Sequence, residues 1–226
     1  VDSLLVSDVP SGYSYGRKND YGFYYMEKPS PMKENNSGKY EVAYSPEFSV
    51  KAGIYNDVEN IQVELIGPGT IYYTLDGKNP TTNSKKYEEP IILNKTSVLK
   101  AISVNDGMIN SSVSTASYII NENHTIDVVS VSLDPNKFDI LNSAAWDDLE
   151  YPAYVEYFDS DGGFSIPCGI KLFGGSARGY AKKSFSLKFR KKYGQSELHY
   201  QVFENRDNSI YKTLVLRSGS QDLEHA

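Results

Sequence analysis

Between Gly169 and Gly194 the chain reads GIKLFGGSARGYAKKSFSLKFRKKYG, and the pattern of this stretch constrains the fold more than any other. Ile170 and Leu172 alternate with Lys171 and Phe173 until Gly174, Gly175 and Gly179 break the pattern. Phe185, Leu187 and Phe189 then alternate with Ser184, Ser186, Lys188 and Arg190. A period of two places successive side chains on opposite sides of an extended backbone, so the stretch reads as two half-buried strands joined by a loop. That loop is rich in glycine and in positive charge. Glycines let backbone N–H groups approach a ligand, and Arg178, Lys182 and Lys183 sit in or beside them, so the chemistry suits a phosphate.

The rest of the chain is punctuated in the same way. Strand-like runs fall at Ile61–Leu65, Ile71–Leu75, Ile91–Leu93 and Val98–Val104, separated by Gly67-Pro68-Gly69, Asp76-Gly77 and Asn79-Pro80. This spacing predicts an antiparallel sandwich over residues 39–122. Val128–Leu133, Tyr154–Phe158 and Leu214–Leu216 extend the β pattern through a second domain at 123–226. One short helix is expected at Asn142–Leu149, where Asn142 or Ser143 caps the first free N–H groups. Residues 1–38 stand apart, with Tyr13, Tyr15, Tyr21, Tyr24 and Tyr25 among glycine, lysine and asparagine, followed by a Pro/Asn linker. The expected class is mainly β: an Ig-like antiparallel sandwich followed by a β-rich lobe.

Composition excludes more than it specifies. The formal net charge of −6 over 226 residues argues against bulk nucleic-acid binding. No apolar run reaches the ~18 residues of a membrane span. Val1 is not followed by the charged and apolar regions of a leader, and any signal peptide is expected to have been removed. Cys168 is the only cysteine, so an intrachain disulfide and a cysteine-based zinc cluster are excluded; it reads as a small packed hydrophobe. His124, His199 and His225 are widely spaced and read as structural or surface residues. No Asp or Glu pair stands out as an acid and a base.

Three local motifs need separating. The basic loop fits neither GxxxxGK[ST] nor GxGxxG, which excludes a Walker loop and a Rossmann turn. Gly174–Arg178 misses the GxSxG elbow because Arg178 stands where the last glycine belongs. Asp159-Ser160-Asp161-Gly162-Gly163 has some calcium-loop character, but Ile170 stands where an EF-hand places its glutamate. It reads as a hairpin turn. Nineteen tyrosines could also build a sugar-stacking face, although most would fill a sandwich core and rim.

Several runs resemble known families. GG-S-x-R-G-x-x-KKS, with VSVSLDPNKFD and YPAYVEYFDSDG before it and YKTLVLRSGSQD after it, resembles the N-terminal part of the CotH family, the spore-coat protein H group. Members are atypical, secreted, kinase-like enzymes that use ATP and Mg. The resemblance implies a kinase-like N-terminal lobe over 123–226, displayed outside a bacterial cell. Lys183, and with it Arg178, would hold nucleotide phosphate beside Gly174 and Gly175; Arg217 and Asp222 match a further motif. It also implies a protein substrate, with catalytic and metal-binding carboxylates beyond Ala226, so this chain alone is expected to be inactive.

YYTLDGKNPTTNSKKYEEPIIL with TSVLKAISVNDGMINSSVSTASYII resembles the chitobiase/hexosaminidase C-terminal Ig-like module. DYGFYYMEKPSPMKENN resembles the last strand and exit of a lamin-tail-type sandwich, with Ser30-Pro31-Met32 in place of a TPG-like turn; an extended arm is the other reading of 1–38. A non-catalytic alternative remains open for the whole chain, an adhesive or scaffolding module contacting a surface partner or a cell-wall glycan.

Overall fold

The structure, a computed structural model, describes residues 9, 13–20, 22–28, 30–35 and 37–219. Strand makes up 40% and helix 6%, which is the mainly β class that the alternation predicts. The chain groups into two compact units. One comprises residues up to Ala52 with Val58–Leu75 and Asn79–Tyr118; the other comprises Gly53–Asp57, Asp76–Lys78 and the chain from Ile119 onward.

In the first unit, β1 (Ser14–Arg17) and β2 (Phe23–Met26) form a hairpin with Tyr15 opposite Tyr25 and Arg17 opposite Phe23. Alternation turns Tyr24 and Met26 inward, whereas Tyr15, Phe23 and Tyr25 stack on the outer side with ring centroids 4.7–5.8 Å apart. The elements that follow are β3 (Glu47–Phe48), β4 (Gly53–Tyr55), β5 (Ile61–Val63), β6 (Leu65–Ile66), β7 (Thr70–Thr74), β8 (Lys85–Lys86), β9 (Ile91–Leu93), β10 (Ser97–Val104) and β11 (Ser114–Ile120), of which β4 and the last two residues of β11 group with the second unit. A five-stranded antiparallel sheet runs in the order β4-β11-β10-β7-β8, and β3 pairs with β6 and β5 with β9. The single strand expected at Ile61–Leu65 is therefore two, which join different partners on either side of Glu64. Ile61, Val63, Leu65, Ile91 and Leu93 are buried while Gln62 and Ile92 face out, the one-sided burial of a sandwich. The Tyr118 hydroxyl donates to the Val50 carbonyl at 2.8 Å, so a large ring is buried with its polar tip satisfied.

The second unit is built on one antiparallel meander. Its strands are β12 (Val128–Ser132), β13 (Tyr151–Phe158), β14 (Phe164–Phe173), β15 (Ser184–Lys188), then the short pair β16 (Leu198–His199) and β17 (Ile210–Tyr211), and β18 (Thr213–Leu216). The main sheet runs β12-β13-β14-β15-β18. Val155, Ile166, Cys168, Ile170 and Leu187 form one buried face, joined by Phe189 and Leu198 and covered by Leu141 of a helix. That helix, α1, spans Pro135–Ser143, so the helix expected at Asn142–Leu149 is misplaced by about two turns. Asp134 accepts the Asn136 N–H at 2.8 Å, and Pro135 supplies a helical φ where its missing N–H costs nothing. Phe138 then meets Phe185 at 6.3 Å between ring centroids, which fixes the helix on the sheet.

On the other face of the sheet, the register aligns Lys171 with Ser186 and Val215, and Phe173 with Ser184. Ser184 and Ser186 are buried as well, so β15 is covered on both sides. The polar members of an alternating strand are not here the solvent-facing ones.

Candidate functional site

Strand β14 ends at Phe173 and the chain re-enters the sheet at Ser184, so the basic glycine run is the loop of the expected hairpin. Gly174 opens it at φ +104°, a conformation that L side chains rarely adopt. At Gly175 a Cβ would meet nothing within 4 Å, which leaves its backbone facing open space. A single 3₁₀ turn, Ser176–Gly179, follows, with Ala177 tucked inward.

The loop is held by its own cations. The Arg178 Nε donates to the Gly174 carbonyl at 2.7 Å, and the Lys183 Nζ donates to the Arg178 carbonyl at 2.5 Å. Two backbone oxygens that would otherwise lack partners in the loop are satisfied in this way. Ser184 supplies a second tie. Its Oγ donates to the Ser218 Oγ at 3.1 Å and accepts from the Ser218 N–H at 2.9 Å. The chain leaving β18 is thereby drawn beside the start of the loop.

Between them lies a cleft of about 350 Å³, within the range of small-molecule pockets. Gly174, Gly175 and Ala177 line it from the loop, Phe173 and Ser184 from the strand ends, and Val215 with Arg217, Ser218 and Gly219 from the last strand. Among the described residues the lining therefore offers a guanidinium, two hydroxyls and the backbone of three glycines, and no carboxylate. That donor set suits an anion.

The sequence candidates divide accordingly. Gly174, Gly175 and Arg217 meet in the cleft, whereas Arg178 and Lys183 stand outside its lining and shape the loop. Asp222 lies outside the described residues. Sequence reasoning missed Ser184 and Ser218, although both sit inside the quoted motifs, KKS and LRSGSQD. It also missed Phe173 and Val215, whose outward positions follow only from the register.

Asp148 lies beside the basic loop, and Glu150 pairs with the cations that follow β15. Asp148 pairs with Lys171, and this hydrogen bond, with Arg178 and Arg190 adding charge, holds its carboxyl below the usual range. Glu150 binds Arg190 and Lys192 at 3.1 Å each and accepts from the Tyr193 hydroxyl at 2.9 Å. Burial would raise its pKa, but Lys192, Tyr193 and Arg190 outweigh burial and keep it low.

Elsewhere the chemistry is structural. Asp159–Gly163 is a turn: Asp159 Oδ1 accepts the Asp161 N–H at 3.0 Å, and Gly162 and Gly163 take φ +111° and +91°. Cys168 is fully buried and its thiol is pushed up to about 12, as expected of a packed hydrophobe. His124 lies 3.1 Å from Glu122 and His199 lies 3.7 Å from Glu197; His225 is outside the described residues. Among the described residues no group of three His, Cys, Asp or Glu side chains is placed to hold a metal ion, and no helix is long and apolar enough to cross a membrane.

Residues 50–115 match the family model of the chitobiase/beta-hexosaminidase C-terminal domain. The chain therefore contains a β-module similar to that domain, over the sandwich of the first unit. No curated protein and no solved structure is significantly similar to the chain.

Proposed function

We propose that the second unit is the phosphate-holding part of a CotH-like, ATP-dependent protein kinase, carried on a modular β-protein outside a bacterial cell. One observation carries this reading: the loop GG and the RSG run, distant in sequence, converge on one cleft whose lining, among the described residues, contains no carboxylate. The glycine amides, Ser218 and Arg217 fit the phosphates of ATP, and Arg178 and Lys183 keep the loop in shape and add positive charge. In such a reaction the γ-phosphoryl passes from ATP to a serine or threonine hydroxyl, ADP leaves, and the hydroxyl proton is released to a base. Catalysis is mostly positioning and charge neutralisation. The chain's own part in this proposal is to bind and orient the phosphates of the nucleotide.

The test is thermal unfolding with and without Mg·ATP. At a hundred times its dissociation constant the nucleotide stabilises the native state by about 2.7 kcal/mol. Arg217→Ala should abolish the rise in Tm; an equal rise in that variant would overturn the assignment.

A second reading, a non-catalytic adhesive module, draws on the match to the chitobiase/beta-hexosaminidase C-terminal domain and on the outer aromatic side of the β1–β2 hairpin. Tyr15, Phe23 and Tyr25 could stack on sugar rings. A glycan array separates the readings: sugar binding lost in Tyr25→Ala, with no response to ATP, favours adhesion.

A further inference from the structure

The last strand of the sheet borders both the cleft and an edge. In the order β12-β13-β14-β15-β18, β18 pairs on one side only among the described residues. The direction of its backbone groups follows from two bonds. Phe189 N–H donates to the Lys212 carbonyl at 3.0 Å, and Ser218 N–H turns toward Ser184. Hydrogen-bonded pairs recur at every second residue of an antiparallel ladder. Lys212, Leu214 and Leu216 therefore direct their amides and carbonyls toward β15, and Thr213 and Val215 direct theirs away from the sheet.

An edge of this kind is a template for another strand unless it is blocked. The edge strand of the first unit's sheet is blocked: β8 consists of Lys85 and Lys86, both exposed. Thr213–Leu216 contains neither charge nor proline, and Val215 is 40% exposed. Positive charge surrounds it instead. Lys212 precedes the strand, Arg217 follows it, and the Lys188 Nζ lies 3.3 Å from Thr213 Oγ1. Between Gly169 and Gly194 the chain carries no carboxylate at all. Glu197 lies 3.5 Å from the Lys212 Nζ.

We infer that β18 docks an extended, acidic polypeptide segment as a sixth strand. Backbone hydrogen bonds to Thr213 and Val215 hold it, and Lys188 and Lys212 select its acidic side chains, the usual division between affinity and specificity in strand addition. Since Val215 and Arg217 also line the cleft, a strand laid along this edge leads into it. The inference rests on the phosphotransferase reading for its purpose, as the docking of the acceptor, but not for its test.

The probe is a fluorescein-labelled peptide of about ten residues, long enough for one strand, alternating valine and glutamate around one serine. A second peptide carries lysine in place of glutamate. The full chain should bind the acidic peptide, and added salt should weaken binding. Thr213→Pro removes an outward N–H while sparing the ladder to β15, and should weaken binding at least about tenfold. Hydrogen exchange gives an independent readout that needs no variant. The Thr213 and Val215 amides should exchange fast in the free chain and slow with peptide, with Leu214 and Leu216 protected throughout. Protection of Thr213 and Val215 without peptide, equal binding of both peptides, or no binding would each overturn the inference. Loss of the ATP response in Arg217→Ala with peptide exchange protection retained supports both readings. An absent ATP response with protection intact removes only the phosphotransferase.

Discussion

At one end of β14 the chain reverses through Asp159–Gly163; at the other it leaves through Gly174–Lys183. Both connections depend on glycines at positive φ, yet they do different things. In the first, Gly162 faces open space and Gly163 faces inward. A Cβ on Gly163 would stand 1.7 Å from the Tyr157 carbonyl oxygen, and the Gly163 N–H donates to the Tyr200 hydroxyl at 3.2 Å. In the second, Gly175 faces open space and the loop's carbonyls are occupied by Arg178 and Lys183. The acidic turn uses Gly163 to close tightly. The basic loop uses its glycines to leave amides accessible while its cations hold the frame. Glycine content alone does not distinguish a turn from a site; what the neighbouring charges bind does.

The largest test of this contrast is a pair of alanines. Gly163→Ala should cost about 4 kcal/mol or prevent folding, since backbone must move at a strained φ. Gly175→Ala should change stability by less than about 1 kcal/mol. Urea denaturation of the two variants measures both, and similar costs would erase the distinction.

Next comes the tie at the acidic turn. The Tyr200 hydroxyl donates to Asp159 Oδ2 at 2.6 Å and accepts from Gly163. Tyr200→Phe removes both bonds and should cost about 1–2 kcal/mol. At the basic end, Lys183→Ala leaves one loop carbonyl without its donor in a more exposed setting, and the loss should be nearer about 0.5 kcal/mol. Its clearer signature is faster hydrogen exchange across residues 174–183, with exchange at 159–163 unchanged.

The smallest effects are in the pH dependence, and they have opposite signs for the carboxylates paired with the basic side chains and for the phenols beside the acidic turn. Asp148 and Glu150 are held below the usual carboxylate range, so the stability they add is present above their unfolded pKa near 4.5 or below and fades as pH falls through the folded value. The phenols of Tyr200 and Tyr157 are raised, Tyr200 chiefly by its bond to Asp159 and Tyr157 chiefly by burial. Their contribution is present below the unfolded value of 10.0 and is lost as pH rises above it. Urea midpoints followed from acid to alkaline pH should show Glu150→Gln flattening the acid limb and Tyr200→Phe the alkaline one.

Much of this was legible in the chain. Alternation located β9 and β14, because a half-buried strand writes its period into the sequence; β10 and β15 were also found, although both are covered on two sides. DSDGG announced a turn through residues that adopt it. The helix starts at Asp134-Pro135, a capping acid followed by proline, which is a stronger start signal than Asn142 and lies about two turns earlier. The cleft was half visible. Gly174, Gly175 and Arg217 belong to recognisable motifs, but their meeting depends on the pairing of β15 with β18 and on the Ser184–Ser218 tie, which no local pattern records. Lys183 drew attention as a strand-side cation; that its ammonium is committed to a loop carbonyl is a matter of three-dimensional reach. The unblocked edge was hidden for the same reason, since TLVL reads as an ordinary strand until its neighbours are known.

The most direct test is an amide NMR titration of the chain with Mg·ATP. The account predicts that the Gly174, Gly175, Ser218 and Gly219 amides shift together while Gly162 and Gly163 stay fixed. Shifts confined to other residues, or no shift at millimolar nucleotide, would contradict a phosphate site in this cleft.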